Sequence, residues 1–276
     1  MKPTTGVSAL QEWADALDSW AIPDAIMAKA PESPWGFVME PFLHRAARAG
    51  KTPPSRSAKR ALETLPEDGS VLDVGSGAGA ASLALVRSAA GITAVDPSKE
   101  MLEELRRLAA ARGVRADTVS GAWPNCAAQV EPADVVVCHH VLYNIPQLEP
   151  FVRALTAKAR RRVVVELTSR HPTAWMNDLW MRFHGLRRPE RPTADDAEYA
   201  LREMGVDVHR EEGPRPSDPD GFARREDEVA FIRKRLCLRP EQDAELIQAL
   251  GSRLRQREGL WTAHPDGDVV TMWWNP

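Results

Sequence analysis

The sequence predicts an α/β fold: a doubly wound, mostly parallel sheet of seven strands with helices on both faces. Three observations carry that prediction. Between residues 55 and 211, short apolar runs alternate with helical patterns, the rhythm of strand–helix–strand units joined by right-handed crossovers. The first run, Ser70 to Val74, breaks into Gly75-Ser76-Gly77-Ala78-Gly79 at a strand-to-helix turn, where absent Cβ atoms let a ligand reach the backbone. The second run, Ile92 to Val95, ends in Asp96, 21 residues beyond Gly75, about where such folds hold a carboxylate against a ribose diol.

The elements follow in order. Ser8 to Gln11 fits a capping box, and Leu10, Trp13, Leu17 and Trp20 share one helical face. Pro31-Glu32-Ser33-Pro34 stops that region. Trp35-Gly36-Phe37 leads into a helix with Pro41 in its first turn and Gly50 at its end, and Thr52 to Ser55 is a linker. A helix through Ala58, Ala61, Leu62 and Leu65 precedes the first strand. Ala80 to Val86 reads as the helix after the glycines, and Ser98 to Arg112 as the next, closed by Gly113. Val114–Val119, Asp134–Cys138 and Val163–Leu167 are strands three to five, with a helix from Pro150 to Ala159 between the last two. Thr173–His184 and Ala194–Met204 are helical, and Val206–His209 is the sixth strand. Two amphipathic helices follow, one carrying Val229, Ile232 and Leu236 and the other Leu246, Leu250 and Leu254. The turn Pro265–Asp268 then leads to a final strand, Val269–Trp274. The expected organisation is a helical segment over 1–54 and a core over 55–276 with a helical insertion at about 213–264.

A chain of 276 residues with 43% hydrophobic and 27% charged residues is long enough for a substantial core. Its net charge of -3 argues against bulk nucleic-acid binding. The three cysteines, Cys126, Cys138 and Cys237, are scattered without a CxxC, which suits a reducing compartment and indicates neither a disulfide framework nor a zinc site. No 18-residue apolar run occurs and no secretory h-region follows the N-terminal lysine. The expectation is a cytoplasmic protein that does not engage membranes; a homodimer is compatible with it.

Asp73 to Gly79, Val95-Asp96-Pro97-Ser98-Lys99-Glu100-Met101-Leu102 and Asp134 to Leu142 closely resemble motifs of the class I S-adenosylmethionine-dependent methyltransferases. The resemblance spans roughly residues 55 to 211. It implies S-adenosylmethionine as cofactor, S-adenosylhomocysteine as product and a Rossmann-like core. Carried over position by position, Asp73 would hold the methionine end, with Gly75, Ser76 and Gly77 passing beneath it. Asp96 would accept both ribose hydroxyls, and Pro97 and Met101 would pack on the adenine. Ala122 would offer its amide to the adenine edge, with Trp123 covering the ring; Gly121 stands where the family often has an acid. The His139 carbonyl would meet the methionine ammonium. The cofactor has no phosphate, and GxxxxGK[ST] is absent here. NAD is the competitor, because Gly75, Gly77, Ala80 and Asp96 also satisfy the dinucleotide pattern. Asp73, an anion badly placed beside a pyrophosphate, speaks against it.

Methyl transfer from a sulfonium is an in-line displacement that chiefly needs alignment, worth ~7–11 kcal/mol. A base is required only when the acceptor arrives protonated. His139, His140 and Tyr143 follow the fourth strand and are the candidates, alongside the bland alternative that His139 lends only its backbone and His140 is a packed residue. Glu166 and His171 at the end of the fifth strand are weaker candidates. Trp13, Trp20, Trp35, Trp175 and Trp180 fit either an aromatic acceptor cavity or ordinary packing. Arg45, Arg48, Lys51, Arg56, Lys59, Arg60 and Arg160-Arg161-Arg162 fit either RNA phosphates or solvated faces. The reading is a methyltransferase acting on a small molecule; an RNA or protein methyltransferase, or a silent cofactor-binding protein, are the alternatives.

Overall fold

The computed structural model describes residues 6–36, 38–51, 53–214 and 221–276; Phe37, Thr52 and part of the expected insertion, 215–220, lie outside the described residues. Its strands are β1 (Gly69–Val74), β2 (Ala89–Asp96), β3 (Arg115–Ser120), β4 (Ala133–His139), β5 (Ala159–Thr168), β6 (His209–Pro214), the short β7 (Arg255–Arg257) and β8 (Leu260–Thr262), and β9 (Asp268–Trp274). Seven of them form one sheet in the order β3-β2-β1-β4-β5-β9-β6. β1 to β5 pair in parallel, and β9 runs antiparallel between β5 and β6. Strand order reverses between β1 and β4, the place in such sheets where ligands bind beyond the carboxyl ends of the strands.

Both faces of the sheet are covered, as continuous apolar runs in parallel strands require. Leu72, Val74, Val136, Cys138 and Val165 point to one core. Their chain neighbours Val71, Val135, Val137 and Val164 point to the other, because successive strand residues alternate faces. On the first face lie α7 (Leu148–Lys158) and α9 (Ala194–Glu203), and α1 (Ala9–Asp18) docks against both. α4 (Arg56–Leu62), capped by Ser55, covers the second face. The four-residue α5 (Ala80–Leu83) follows the glycines, and α6 (Lys99–Ala110), capped by Ser98, packs on β2 and β3. α3 (Met39–Arg48) lies across α5 and α6 with Phe42, Leu43 and Ala46 inward. A separate core joins Ile22 and the short α2 (Asp24–Met27) to α8 (Asn177–His184), α10 (Arg225–Arg235) and α11 (Asp243–Leu250).

Four expectations are corrected. The helix predicted over Ala80–Val86 stops after Leu83, because Leu85 turns in among Ala58, Val71 and Val135. The sixth strand is His209–Pro214 and not Val206–His209; Val208 belongs to the core between α9 and the sheet, and the charged residues after it pair with β9. Besides two helices, the segment before the last strand holds the β7–β8 hairpin, whose turn residues Glu258 and Gly259 have φ of 47° and 86°. Only half of the first capping box forms: Ser8 accepts from the Gln11 amide, but the Gln11 side chain donates to Asp15.

Candidate functional site

The glycine turn and the tip of β2 are hydrogen-bonded to each other. Gly75 and Ser76 donate to the Val95 carbonyl at 2.8 and 3.1 Å. Gly77 N–H donates to Asp96 Oδ2 at 2.9 Å, and Ser98 N–H donates to Oδ1 at 2.8 Å. A carboxylate has about four lone-pair sites, so these two bonds leave Asp96 capacity to accept more. Glycine is required here for two reasons. Gly75 has φ +68°, and a Cβ on it would stand 2.4 Å from Val141 Cγ2, in the loop after β4. Beside Gly77 lies Phe42 of α3, 3.5 Å from the point a Cβ would occupy.

Behind the turn, a polar row crosses the face covered by α4. Asp73 is 1% exposed and accepts from the Ser82 amide and hydroxyl at 3.2 and 2.6 Å. Burial pushes its pKa up, against the Ser82 bonds and His139. His139 stands opposite Glu166 in the β4–β5 register, and Glu166 opposite Thr271 in β5–β9. Among the described residues, the buried His139 Nε2 and Thr271 Oγ1 have no hydrogen-bond partner. Glu166 is buried, accepts from Ser57 Oγ at 2.6 Å and lies 3.3 Å from His140 Nε2. Burial would raise the Glu166 pKa, yet His140, His139 and Ser57 together hold it well below the usual carboxylate range. Two carboxylates on one face of the sheet are thus driven in opposite directions.

The remaining predicted residues are distributed around this centre. Pro97 and Ala122 are exposed at the tips of β2 and β3, and Gly121 N–H donates to the Asp96 carbonyl at 3.1 Å. Met101 is buried in the α3–α6 core. Trp123 is 8% exposed in the main core, with its indole N–H donating to Phe151 O at 3.3 Å. Tyr143 is buried, donates its hydroxyl to Thr168 O at 2.8 Å and stacks on Trp13 at 5.7 Å. Burial and the charges of Asp196 and Asp195 raise its pKa. His171 stacks on Trp20 at 3.8 Å, and burial with the nearby Arg188 lowers its pKa to about 3. Trp13, Trp20 and Trp180 are thereby packed, Trp175 lies against His264, and Trp35 is exposed. Several of the basic residues meet acids: Arg48 meets Glu258, Arg60 meets Glu63 and Glu211, and Arg162 meets Glu63. Ser57 and Phe42 carried no sequence signal, since both reach the site only through tertiary packing. Two surface hollows of about 580 and 640 Å³ lie by α8 and α1, away from the glycine turn.

Residues 71–162 match the family model described as a methyltransferase domain. No curated protein matches the sequence. Among solved structures, a cyclopropane-fatty-acyl-phospholipid synthase-like protein of Lactobacillus casei ATCC 334 is 16% identical with a TM-score of 0.52, covering 92% of this chain and 98% of its own. A candidate methyltransferase of Bacillus halodurans C-125 is 17% identical with a TM-score of 0.51, covering 80% and 98%. A third, the YcgJ protein of Bacillus subtilis, is 15% identical with a TM-score of 0.50, covering 79% and 97%. In all, 1008 chains of solved structures match, so the fold is shared too widely to name a substrate.

Proposed function

We propose, from the premise that this chain is a class I S-adenosylmethionine-dependent methyltransferase, that it methylates a small-molecule acceptor in the cytoplasm. The observation that carries the reading is the Gly77–Asp96 junction, which puts a close-approach glycine turn and a diol-binding carboxylate within one hydrogen bond. Bound there, S-adenosylmethionine supplies an activated methyl group on a cationic sulfur. The chain's part is to grip and align it. Asp96 accepts the ribose hydroxyls, Gly75, Ser76 and Gly77 pass beneath the amino-acid end, and Pro97, Met101, Gly121, Ala122 and Trp123 line the adenine side. Asp73 and the His139 carbonyl face the ammonium. The orphaned His139 Nε2 fits a site whose polar partner arrives with a ligand or its water.

In the same reading residues 1–54 act as a lid over a core of 55–276, and α3 is its working part, because Phe42 already lies beside Gly77. A small acceptor is favoured because Arg48, Arg60 and Arg162 are engaged by acids and do not form an open basic groove. Among the described residues no helix is long and apolar enough to cross a membrane. Calorimetric titration tests the cofactor: the expected result is S-adenosylmethionine binding at roughly micromolar Kd, about -8 kcal/mol, with no heat from NAD. Tight NAD binding in its place would overturn the reading.

A further inference from the structure

Arg188 is 8% exposed, and among the described residues no carboxylate lies within ion-pairing distance of it. Its two terminal nitrogens donate to the Ala21 and Trp20 carbonyls, and the Trp20 and Trp180 rings flank the guanidinium at 5.3 and 5.0 Å. Nε is buried with no hydrogen-bond partner. Carbonyls and ring faces lessen the cost of burying a cation, but they bring no counter-charge, and buried charges are ordinarily paired. Burial accordingly pulls the Arg188 pKa down. Arg188 also lines the hollow of about 580 Å³ beside α8, a volume within the range of small-molecule sites. Asn177 lines the same hollow. Its Nδ2 donates to the Pro189 carbonyl at 2.9 Å, while its Oδ1 is a second buried polar atom without a partner. An orphaned donor and an orphaned acceptor thus belong to the wall of one hollow, where a bound group would satisfy both.

The rest of the lining carries both signs of charge and an apolar surface. Arg187 adds an exposed cation with no ion pair among the described residues. Of the acids, Asp178 is held by Arg253 at 2.9 and 3.1 Å, whereas Glu190 is exposed and unpaired among the described residues. Met181, one helical turn beyond Asn177 and 44% exposed, supplies the apolar wall. We propose that this hollow is a second small-molecule site, separate from the glycine turn, for an α-amino acid with an apolar side chain. The carboxylate of such a zwitterion answers Arg188 and Arg187. Its ammonium answers Asn177 Oδ1 and Glu190, and its side chain covers Met181. A simple anion would leave the Asn177 acceptor unmet and meet Glu190 as a like charge; a simple cation would leave Arg188 without its counter-ion. The site does not depend on the methyltransferase reading, since none of its residues takes part in the proposed cofactor grip.

The test titrates the full chain with L-leucine and with three analogues that each lack one of its features. L-leucine is expected to bind with a Kd below about 1 mM. The analogues 4-methylpentanoate (no ammonium), 3-methylbutylamine (no carboxylate) and glycine (no apolar side chain) should each bind at least roughly tenfold more weakly. Hydrogen exchange should slow on leucine binding in α8 and around Trp20 and Ala21, whose carbonyls Arg188 holds. Arg188→Gln should weaken leucine by roughly 30-fold or more. Should that variant not fold, the exposed Arg187→Gln and Glu190→Gln decide: each should weaken leucine roughly three- to tenfold with an unchanged circular dichroism spectrum. Leucine and S-adenosylmethionine should bind side by side. No leucine binding at roughly 10 mM, equal binding of 4-methylpentanoate, unchanged affinity in the variants, or displacement of leucine by S-adenosylmethionine overturns the proposal. Failure of the chain to bind S-adenosylmethionine strikes the methyltransferase reading and leaves this site standing.

Discussion

Asp96 holds two jobs at once, and that decides how it should be probed. It fastens the glycine turn through Gly77 and ties down the start of α6 through Ser98, and in the proposed reading it also accepts the ribose hydroxyls. Hydrogen bonds to a charged group contribute about 1.5–3 kcal/mol each. Asp96→Ala is therefore expected to weaken S-adenosylmethionine binding by roughly 100-fold or more, read by calorimetry, while far-UV circular dichroism stays that of the folded chain. A second prediction concerns pH. His171 titrates near 6.5 when unfolded but at about 3 in the fold, because burial and then Arg188 disfavour its charge. Between those values the unfolded chain binds a proton that the folded chain refuses, so stability falls as pH drops from 6.5 toward 3. The slope from this one group reaches at most about 1.4 kcal/mol per pH unit. Urea denaturation across that window should show it, and His171→Phe, which keeps the stack on Trp20, should flatten it.

At the scale of elements, what the sequence revealed divides along burial. β1, β2, β4 and β5 were legible because their buried stretches read as short apolar runs, and Gly113 and Gly205 marked helix ends through left-handed φ of 72° and 82°. β6 was misplaced because an edge strand carries His209, Arg210, Glu211 and Glu212, a charged stretch that no apolar pattern reports. The meeting of the glycine turn with Asp96 was readable, since its demands are local: glycines at a turn and a carboxylate at a strand tip. The contacts of Glu166 with Ser57 and His140 were not, because Ser57 and Glu166 are 109 residues apart and meet only when α4 covers β5. Arg112 shows the same limit. Placed after α6, it donates from Nη2 to the Ala46, Ala47 and Ala49 carbonyls and so caps the end of α3. Arg112→Ala leaves those carbonyls half-buried without that donor. It is expected to destabilise the protein by about 1–3 kcal/mol in urea and to raise amide exchange across α3 ahead of the sheet.

Across the whole molecule, cofactor and fold should be linked unevenly. Among the described residues, the clusters on the two sheet faces and under α3 build one body around the sheet, and a separate cluster joins α8, α10 and α11 to Ile22. Arg188 joins the second cluster to the segment after α1: its guanidinium lies 5.3 Å from the Trp20 ring and 5.0 Å from the Trp180 ring and donates to the Trp20 and Ala21 carbonyls. The glycine turn, β2, α3 and α6 belong to the main body, so a ligand held there stabilises that body directly and the second core only through such ties. A ligand at 100 times its Kd adds about 2.7 kcal/mol, which for a chain of this size is a Tm rise of roughly 5–10 °C. S-adenosylmethionine should produce that shift and NAD should not. Hydrogen exchange should slow most in β1, β2 and α6, and less in α10 and α11. A uniform slowing would mean that the two cores unfold as one cooperative unit. Slowing confined to α8, α10 and α11 would place the ligand away from the glycine turn and remove Asp96 from its binding.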